Sequence, residues 1–388
     1  MIFDWITLYD AYREESLGRR NTANHHKYTY DLEENLYSLM YRMNNGMFQP
    51  SPLKLKTIYY PKKRVAQIPS KEDKIVQHAV CDEIAYYQLV APLLPCASAN
   101  TRGRGTDYGI KMAKENFTKF FREYRKPPYI LKCDIHNFFG SIPHDRAKEL
   151  IRRYITDETI ITILDSFIDL NGTDVGLPLG LQQSQLISNL YLSDMDHILT
   201  EDMGIKYYGR HMDDFYIFSD SKEYLEKLLI WIDSYVQSIG LELNPKTGIT
   251  YRAAEYLGFK IMVSDSGKVI TRLQNSKKKT KRHQLRKQVR DLVEGKIAPE
   301  QLAESYHGWR QFASKGDTHN MILAMDAYLN RLLAPLGLQM RMQYTGKKTT
   351  KTGQRRKKWR VVIKEIPKGE IGIEQNISRP DGGDTHIC

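Results

Sequence analysis

The sequence predicts an α+β protein in which a small sheet packs on helices. Two observations predict it. Short apolar runs of strand length alternate with stretches of helical, 3.6-residue periodicity, which argues for mixed layers and against a bundle. The chain has 388 residues, 41% of them hydrophobic, which is enough for a sizeable core and makes overall disorder a poor description. At roughly 100–200 residues per domain this length allows two or three domains.

The elements follow in order. Ser70 with Asp73 three residues later forms a weak capping box, and Ile75, Val76, Ala79, Val80, Ile84 and Tyr87 then share one helical face. Pro127-Pro128 ends the preceding helical segment, and YILKCDI (129–135) reads as a buried strand. After Gly180 a second helix carries Leu186, Ile187, Leu190, Tyr191, Met195 and Ile198 along one side. KYYGR and FYIFS read as short strands around HMDD (211–214), and Leu225, Leu228, Leu229, Ile232, Val236 and Ile239 mark a third helix. EYLGFKI (255–261) reads as one strand with Gly258 inside it, and WRVVIKEI (359–366) alternates as a strand does. Leu332, Leu333, Leu336 and Leu338 are read as core. ISRPDGGDTHIC, at the end, is expected to be mobile.

Charge identifies the partner class. Lys and Arg number 58 against 46 Asp and Glu, a net charge of +12, which favours an anionic partner. The surplus is concentrated: residues 277–290 (KKKTKRHQLRKQVR) and 341–360 (RMQYTGKKTTKTGQRRKKWR) contain no acid. Such blocks repel themselves unless a polyanion neutralises them. Cys81, Cys96, Cys133 and Cys388 are scattered without a CxxC spacing, so neither a zinc ribbon nor a disulfide framework is expected, and a reducing compartment is. No apolar run reaches about 18 residues, so no membrane span is expected. The acidic opening MIFDWITLYD does not read as a secretory signal.

The most informative residues are three carboxylates. Asp134 ends an apolar strand, and Asp213 and Asp214 occupy a tight turn between two others. Carboxylates about 4 Å apart repel by about 4 kcal/mol at an effective dielectric near 20. A cluster of this kind persists on buried strands when a cation offsets it, and oxygen ligands suit Mg²⁺. Two such ions clamp the attacking and leaving oxygens of an in-line phosphoryl transfer.

Six segments, running in order over roughly 55–262, resemble the motifs of reverse transcriptases. They are KKRVAQIPSKEDKIVQHAV, LKCDIHNFFGSI, GLPLGLQQSQLISNLYL, HMDDFYIF, GLELNPKTGI and EYLGFKI. The resemblance implies a right-hand polymerase fold with four parts. Residues 1–128 would be an N-terminal extension and fingers, and 129–263 the palm, an antiparallel sheet packed on helices. Residues 264–338 would be a helical thumb, and 339–388 a basic, partly flexible C-terminal extension. It further implies that Asp134, Asp213 and Asp214 are catalytic and hold two Mg²⁺ ions, with Mn²⁺ as a substitute, and that the Ile135 carbonyl completes a shell. Phe139 would exclude a 2′-hydroxyl. Arg64 and Lys63 would hold the incoming triphosphate, Lys246 would sit near the leaving pyrophosphate, and Leu179 and Gln185 would border the nucleotide. His211, which stands where the family's hairpin usually has Tyr, would meet primer and template together with Met212, Gly258 and the thumb residues Lys277, Lys278, Lys279, Lys281 and Arg282.

Within that family the chain resembles the reverse transcriptases of diversity-generating retroelements. Leu179 stands between Pro178 and Gly180, where intron and retroviral enzymes usually have Gln, and Ser184-Gln185 stands where Ser-Pro is usual. LYDAYREESLGRR (8–20) and ESYHGWRQFASKGDTHNM (304–321) agree with the same group. This resemblance implies error-prone copying of a template-repeat RNA from dNTPs. The partners would be that RNA, the RNA–DNA duplex and a small basic accessory protein, in the cytoplasm of a bacterial or phage-infected cell. The alternatives are an antiviral-defence or group II intron-like reverse transcriptase and, outside enzymes, an inactive RNA-binding scaffold.

Overall fold

The computed structural model describes residues 2–17, 23–58, 64–349 and 355–366. They fall into two compact units, Met1–Thr271 and Arg272–Cys388.

The first unit begins with α1 (Trp5–Ser16), α2 (Ala23–Tyr30) and α3 (Leu32–Asn44), followed by an antiparallel ribbon of β1 (Lys54–Ile58) and β2 (Arg64–Ile68). Asp4 caps α1 by accepting from Thr7 N at 2.8 Å. The Ser70 capping box forms as the sequence indicates: Ser70 Oγ accepts from Asp73 N and Asp73 Oδ2 from Ser70 N, both at 3.0 Å, opening α4 (Lys71–Gln77). The helix then widens into a π-helix over His78–Ala85 before α5 (Tyr86–Val90). A wider turn changes the phase of the face that follows. Tyr87, placed on the apolar side by a 3.6-residue period, is therefore exposed. Next comes α6 (Thr106–Tyr124), closed by Arg125 in left-handed backbone ahead of Pro127-Pro128.

A four-stranded sheet in the order β4-β5-β3-β6 forms the centre of this unit. Along the chain come β3 (Tyr129–Cys133), α7 (Phe138–Ser141), α8 (His144–Tyr154), α9 (Glu158–Ile168), α10 (Gln182–Tyr191), α11 (Ser193–His197), β4 (Tyr208–His211), β5 (Asp214–Ser219), α12 (Lys222–Ser238) and β6 (Gly248–Tyr251). The helix expected from Gly180 to Ile198 is broken at Leu192, whose backbone leaves the helical region at φ −101° and ψ 6°. Alternation gives the sheet two faces. Leu131, Cys133, Phe215 and Ile217 join the main core with Leu225, Leu228, Ile232 and Val236 of α12. On the other face Phe218 packs at a tilt against Phe117 of α6, with ring centroids 4.5 Å apart.

The segment EYLGFKI is not one strand. It is a tight hairpin of β7 (Ala253–Tyr256) and β8 (Phe259–Val263), continued by β9 (Val269–Leu273). Leu257 and Gly258 form the two-residue turn with φ 49° and 85°. Positive φ at both positions is what a twisted two-residue hairpin requires, and Gly258 supplies it without strain.

The second unit contains α13 (Asn275–Val293), α14 (Pro299–Ala313) and α15 (His319–Leu333), then β10 (Leu338–Thr349) paired antiparallel with β11 (Arg355–Glu365). Its core joins Leu285, Leu302, Tyr306, Met325, Leu329 and Leu333 to Met340 and Val361 of the hairpin. WRVVIKEI is thus part of a strand with an inward apolar side. Leu332 and Leu338 pack at the edge of this core, whereas Leu336 is exposed. The segment ISRPDGGDTHIC lies outside the described residues. Among those described, no helix is long and apolar enough to cross a membrane.

Candidate active site

Strand register brings the acids together. Antiparallel pairing sets Cys133 opposite Phe215, so the next position outward sets Asp134 opposite Asp214. His211 pairs with Asp214 across β4 and β5, leaving Met212 and Asp213 as the turn, with Met212 at φ 60°. Burial raises the pKa of Asp213, and the neighbouring Asp134 charge adds to the rise. Asp134 is tied to the segment after α12: its carbonyl accepts from Asn244 N at 2.7 Å, and its amide donates to Thr247 Oγ1 at 3.4 Å. That turn carries Lys246, which is exposed. Ile135, 2% exposed, continues the pairing by bridging to Leu243.

Lys132, which sequence reasoning did not single out, changes the picture. It shares the Asp134 side of β3, forms an ion pair with Asp214 and lies 5.5 Å from the Tyr256 ring centroid. Burial pulls its pKa down to about 8 against the upward pull of Asp134 and Asp213. Among the described residues no three His, Cys, Asp or Glu side chains converge to hold a metal ion. Lys132 engages the third acid, Asp214. Asp134 and Asp213 nonetheless fit a hard divalent cation. They offer oxygen donors only, and the Asp213 carboxylate is disfavoured by burial and by its neighbour's charge, a state such an ion relieves.

The hairpin turn is anchored from beneath. Arg210, wholly buried, meets the equally buried Asp196 with Nη2 2.5 Å from Oδ2 and Nε 2.8 Å from Oδ1. Tyr208 OH donates to the same carboxylate at 2.6 Å. Nη1 then donates to Asn189 Oδ1 at 3.0 Å and to the Met212 carbonyl at 3.1 Å, inside the turn that presents Asp213. An arginine on an apolar strand next to an acidic turn was the available signal, since a buried cation requires a partner.

A pocket of about 470 Å³ opens beside the turn, lined among others by Asn100, Phe139, Leu179, Gln185, His211 and Met212. Five of the residues chosen from sequence therefore border one space. Phe139 is half-buried and packs edge-on to Phe138 at 5.9 Å. The Leu179 side chain is 44% exposed while its backbone is fixed. Its amide donates to Gln67 Oε1 at 2.7 Å, and its carbonyl accepts from Gln67 N at 3.4 Å. Gln67 and Asn100 were not foreseen. Asn100 Nδ2 spans the pocket's edge, donating to the Gln185 carbonyl at 3.1 Å. His211 Nδ1 lies 2.8 Å from Ser98 Oγ, which is also 3.0 Å from the Arg210 carbonyl. Burial, with the Arg210 charge, lowers the His211 pKa and keeps the ring neutral near pH 7.

The remaining choices lie elsewhere. Lys63 is outside the described residues, and of Arg64 only the backbone, at the start of β2, is described. Gly258 forms the β7–β8 turn. In the second unit Lys277 and Lys279 are exposed, Lys278 donates to Asn275 Oδ1 at 3.0 Å, and Arg282 lies over Tyr328 at 5.3 Å. Lys281 differs from these. It is 3% exposed, donates to Gln284 Oε1 at 3.2 Å and lies 5.7 Å from the Tyr306 ring centroid.

Comparison with known proteins shows the family. The family described as reverse transcriptase (RNA-dependent DNA polymerase) matches residues 56–261, just over half the chain. Protein YkfC of Escherichia coli (strain K12) is 27% identical over 170 residues, which are 40% of this chain and 43% of that protein. Among solved structures, apo telomerase from Candida tropicalis truncated from its C-terminal domain is 16% identical with a TM-score of 0.43, covering 58% of each chain. Telomerase from Candida albicans in complex with the TWJ fragment of telomeric RNA is 12% identical with a TM-score of 0.44, covering 64% of this chain and 51% of that one. The chain spans about half the length of these relatives.

Proposed function

Because the chain belongs to the reverse transcriptase (RNA-dependent DNA polymerase) family, we propose that it copies an RNA template into DNA where β3 ends beside the β4–β5 turn. The observation that carries this reading is the register that sets Asp134 against the turn holding Asp213. Asp134 and Asp213, with Asp214 and the Ile135 carbonyl, would hold divalent ions, here assigned as two Mg²⁺ with Mn²⁺ as a substitute. When bound, these supply charge neutralisation for phosphoryl transfer. The chain's own groups position the reactants. Phe139 sits under the sugar and excludes a 2′-hydroxyl. Arg64 and Lys63 hold the triphosphate, Lys246 faces the leaving pyrophosphate, and Leu179 and Gln185 border the base. His211, Met212 and Gly258 approach the primer end, and Lys277, Lys278, Lys279 and Arg282 meet backbone phosphates, which position without reading sequence.

The finer reading is a reverse transcriptase of a diversity-generating retroelement, copying a template-repeat RNA with frequent errors alongside a small basic accessory protein. Leu179, Ser184-Gln185 and the 304–321 segment support it. The test is incorporation of dNTPs on a primed RNA with Mg²⁺, which Asp213→Ala should reduce by about a thousandfold. If both proteins are equally inactive with cognate RNA and accessory protein present, the chain is an RNA-binding scaffold. Sequencing the cDNA decides the finer point: errors concentrated at template adenines support it, and an even spectrum overturns it.

A further inference from the structure

The first unit holds a second cavity, of about 710 Å³, among α1–α4, β1 and β2. Its lining shares no residue with the pocket at the hairpin turn. Its floor is a buried ion pair. Lys71 Nζ lies 2.6 Å from Glu15 Oε2, 3.3 Å from Ser16 Oγ and 3.2 Å from His25 Nδ1, below the rings of Tyr12 and Tyr28 at 4.9 and 5.8 Å. Lys71 thus answers Glu15. Lys74 also reaches Glu15, at 4.0 Å. The lining as a whole sets Lys27, Lys54, Lys71 and Lys74 against Glu15 and Asp31, so the cavity carries a positive excess.

A second feature points the same way. The Tyr28 hydroxyl is enclosed and has no hydrogen-bond partner among the described residues. An orphaned buried hydroxyl is destabilising, and burial raises the phenol's pKa, so it remains a donor. The lining therefore offers lysine ammonium groups and an unused O–H donor beside aromatic ring faces. A phosphate oxygen satisfies the donors, and a base stacks on an aromatic face. The volume accommodates one nucleotide, not a duplex.

We propose that this cavity is a binding site for one phosphorylated nucleoside. Two sources share that chemistry, a unit of a single RNA strand and a free mononucleotide. The site is independent of the catalytic assignment, because occupying it requires no turnover.

The experiment uses the full chain and two photoreactive probes: azidoadenosine monophosphate, and a single-stranded RNA of about ten nucleotides carrying one azidoadenosine. Labelled peptides are located by mass spectrometry. Label should fall within residues 23–35, and Lys27→Glu/Lys54→Glu should lower it about tenfold or more. Tyr28→Phe, which keeps the ring and removes the donor, should lower it several-fold. Circular dichroism melting confirms that each variant is folded. Labelling by RNA alone assigns the site to a strand, and labelling by the mononucleotide assigns it to a free nucleotide. No label in 23–35 from either probe, or label that persists in the folded charge-reversal variant, overturns the proposal.

Discussion

Arg210 and Asp196 form an ion pair with no solvent exposure on either side chain, and the same guanidinium reaches the Met212 carbonyl at 3.1 Å. A charge pair under the sheet is thereby coupled to the turn that presents Asp213. Removing one member of a buried pair leaves the other uncompensated and costs about 3–5 kcal/mol. Arg210→Met alone should therefore destabilise the fold by roughly that amount in denaturant titration. Arg210→Met/Asp196→Leu should recover at least half of the loss, yet incorporation should stay about tenfold below wild type, because the tether to Met212 is still missing. Full recovery of both quantities would show that the turn holds itself.

Leu179 presents an apolar side chain where a hydrogen-bonding one would fit, on a backbone that Gln67 holds at both its amide and its carbonyl. A contact of about 1–3 kcal/mol corresponds to a 10- to 150-fold change in discrimination. Leu179→Gln should accordingly lower misinsertion opposite template adenine by about tenfold, read by sequencing extension products. An unchanged error rate would remove Leu179 as a determinant of fidelity.

Phe139 is half-buried, borders the pocket and is braced by Phe138, so its ring is held rather than loose. Phe139→Ala should open space beneath the sugar and raise ribonucleotide incorporation relative to deoxynucleotide by about tenfold or more. Paired single-nucleotide kinetics with rNTP and dNTP check this. A loss of both activities in equal measure would instead assign the ring to packing.

Local patterns were legible and distant partnerships were not. Short apolar runs marked β3 and β5 together with the acids at their ends. The Ser70–Asp73 spacing marked the start of α4. Gln67 meets Leu179 across 112 positions, and Lys132 meets Asp214 only once the sheet register is known. The π-helix at His78–Ala85 shifted the phase that periodicity assumes. Gly258 is an instance of one signal with two readings, since a glycine inside an apolar run marks either a close approach or a turn, and here it is a turn. Lys281 shows why a run of like charge is not a uniform surface. It stands four residues before Leu285, on the side of α13 that the helical period turns inward.

Burial lowers the pKa of Lys281 to about 8. The folded state therefore releases this proton at a lower pH than the unfolded chain, which keeps it to about pH 10.4. Between those values the unfolded state binds more protons, so stability should rise with pH across the window. At pH 7 the ammonium is charged in both states, and folding bears the burial penalty. Lys281→Met should then stabilise the protein at pH 7 by about 2 kcal/mol, after allowing for its lost hydrogen bonds, and should flatten the rise. Chemical denaturation at pH 7 and pH 9.5 measures both effects. A variant that is less stable at pH 7 would mean that the bonds to Gln284 and Ser305 outweigh the desolvation.

The same residue separates structure from nucleic-acid binding on α13. Each exposed cation that meets a phosphate contributes about 0.7–0.9 to the slope of log affinity against log salt. Replacing Lys277, Lys279 and Arg282 by Gln should lower that slope for a primed RNA template by about two, with little change in melting temperature. Lys281→Met should do the reverse, altering stability and leaving the slope alone, since its ammonium is enclosed by Gln284, Ser305 and Tyr306. Fluorescence anisotropy over a salt series distinguishes the two. If the triple substitution leaves the slope unchanged, α13 does not carry the backbone, and the positive excess of the chain must act elsewhere.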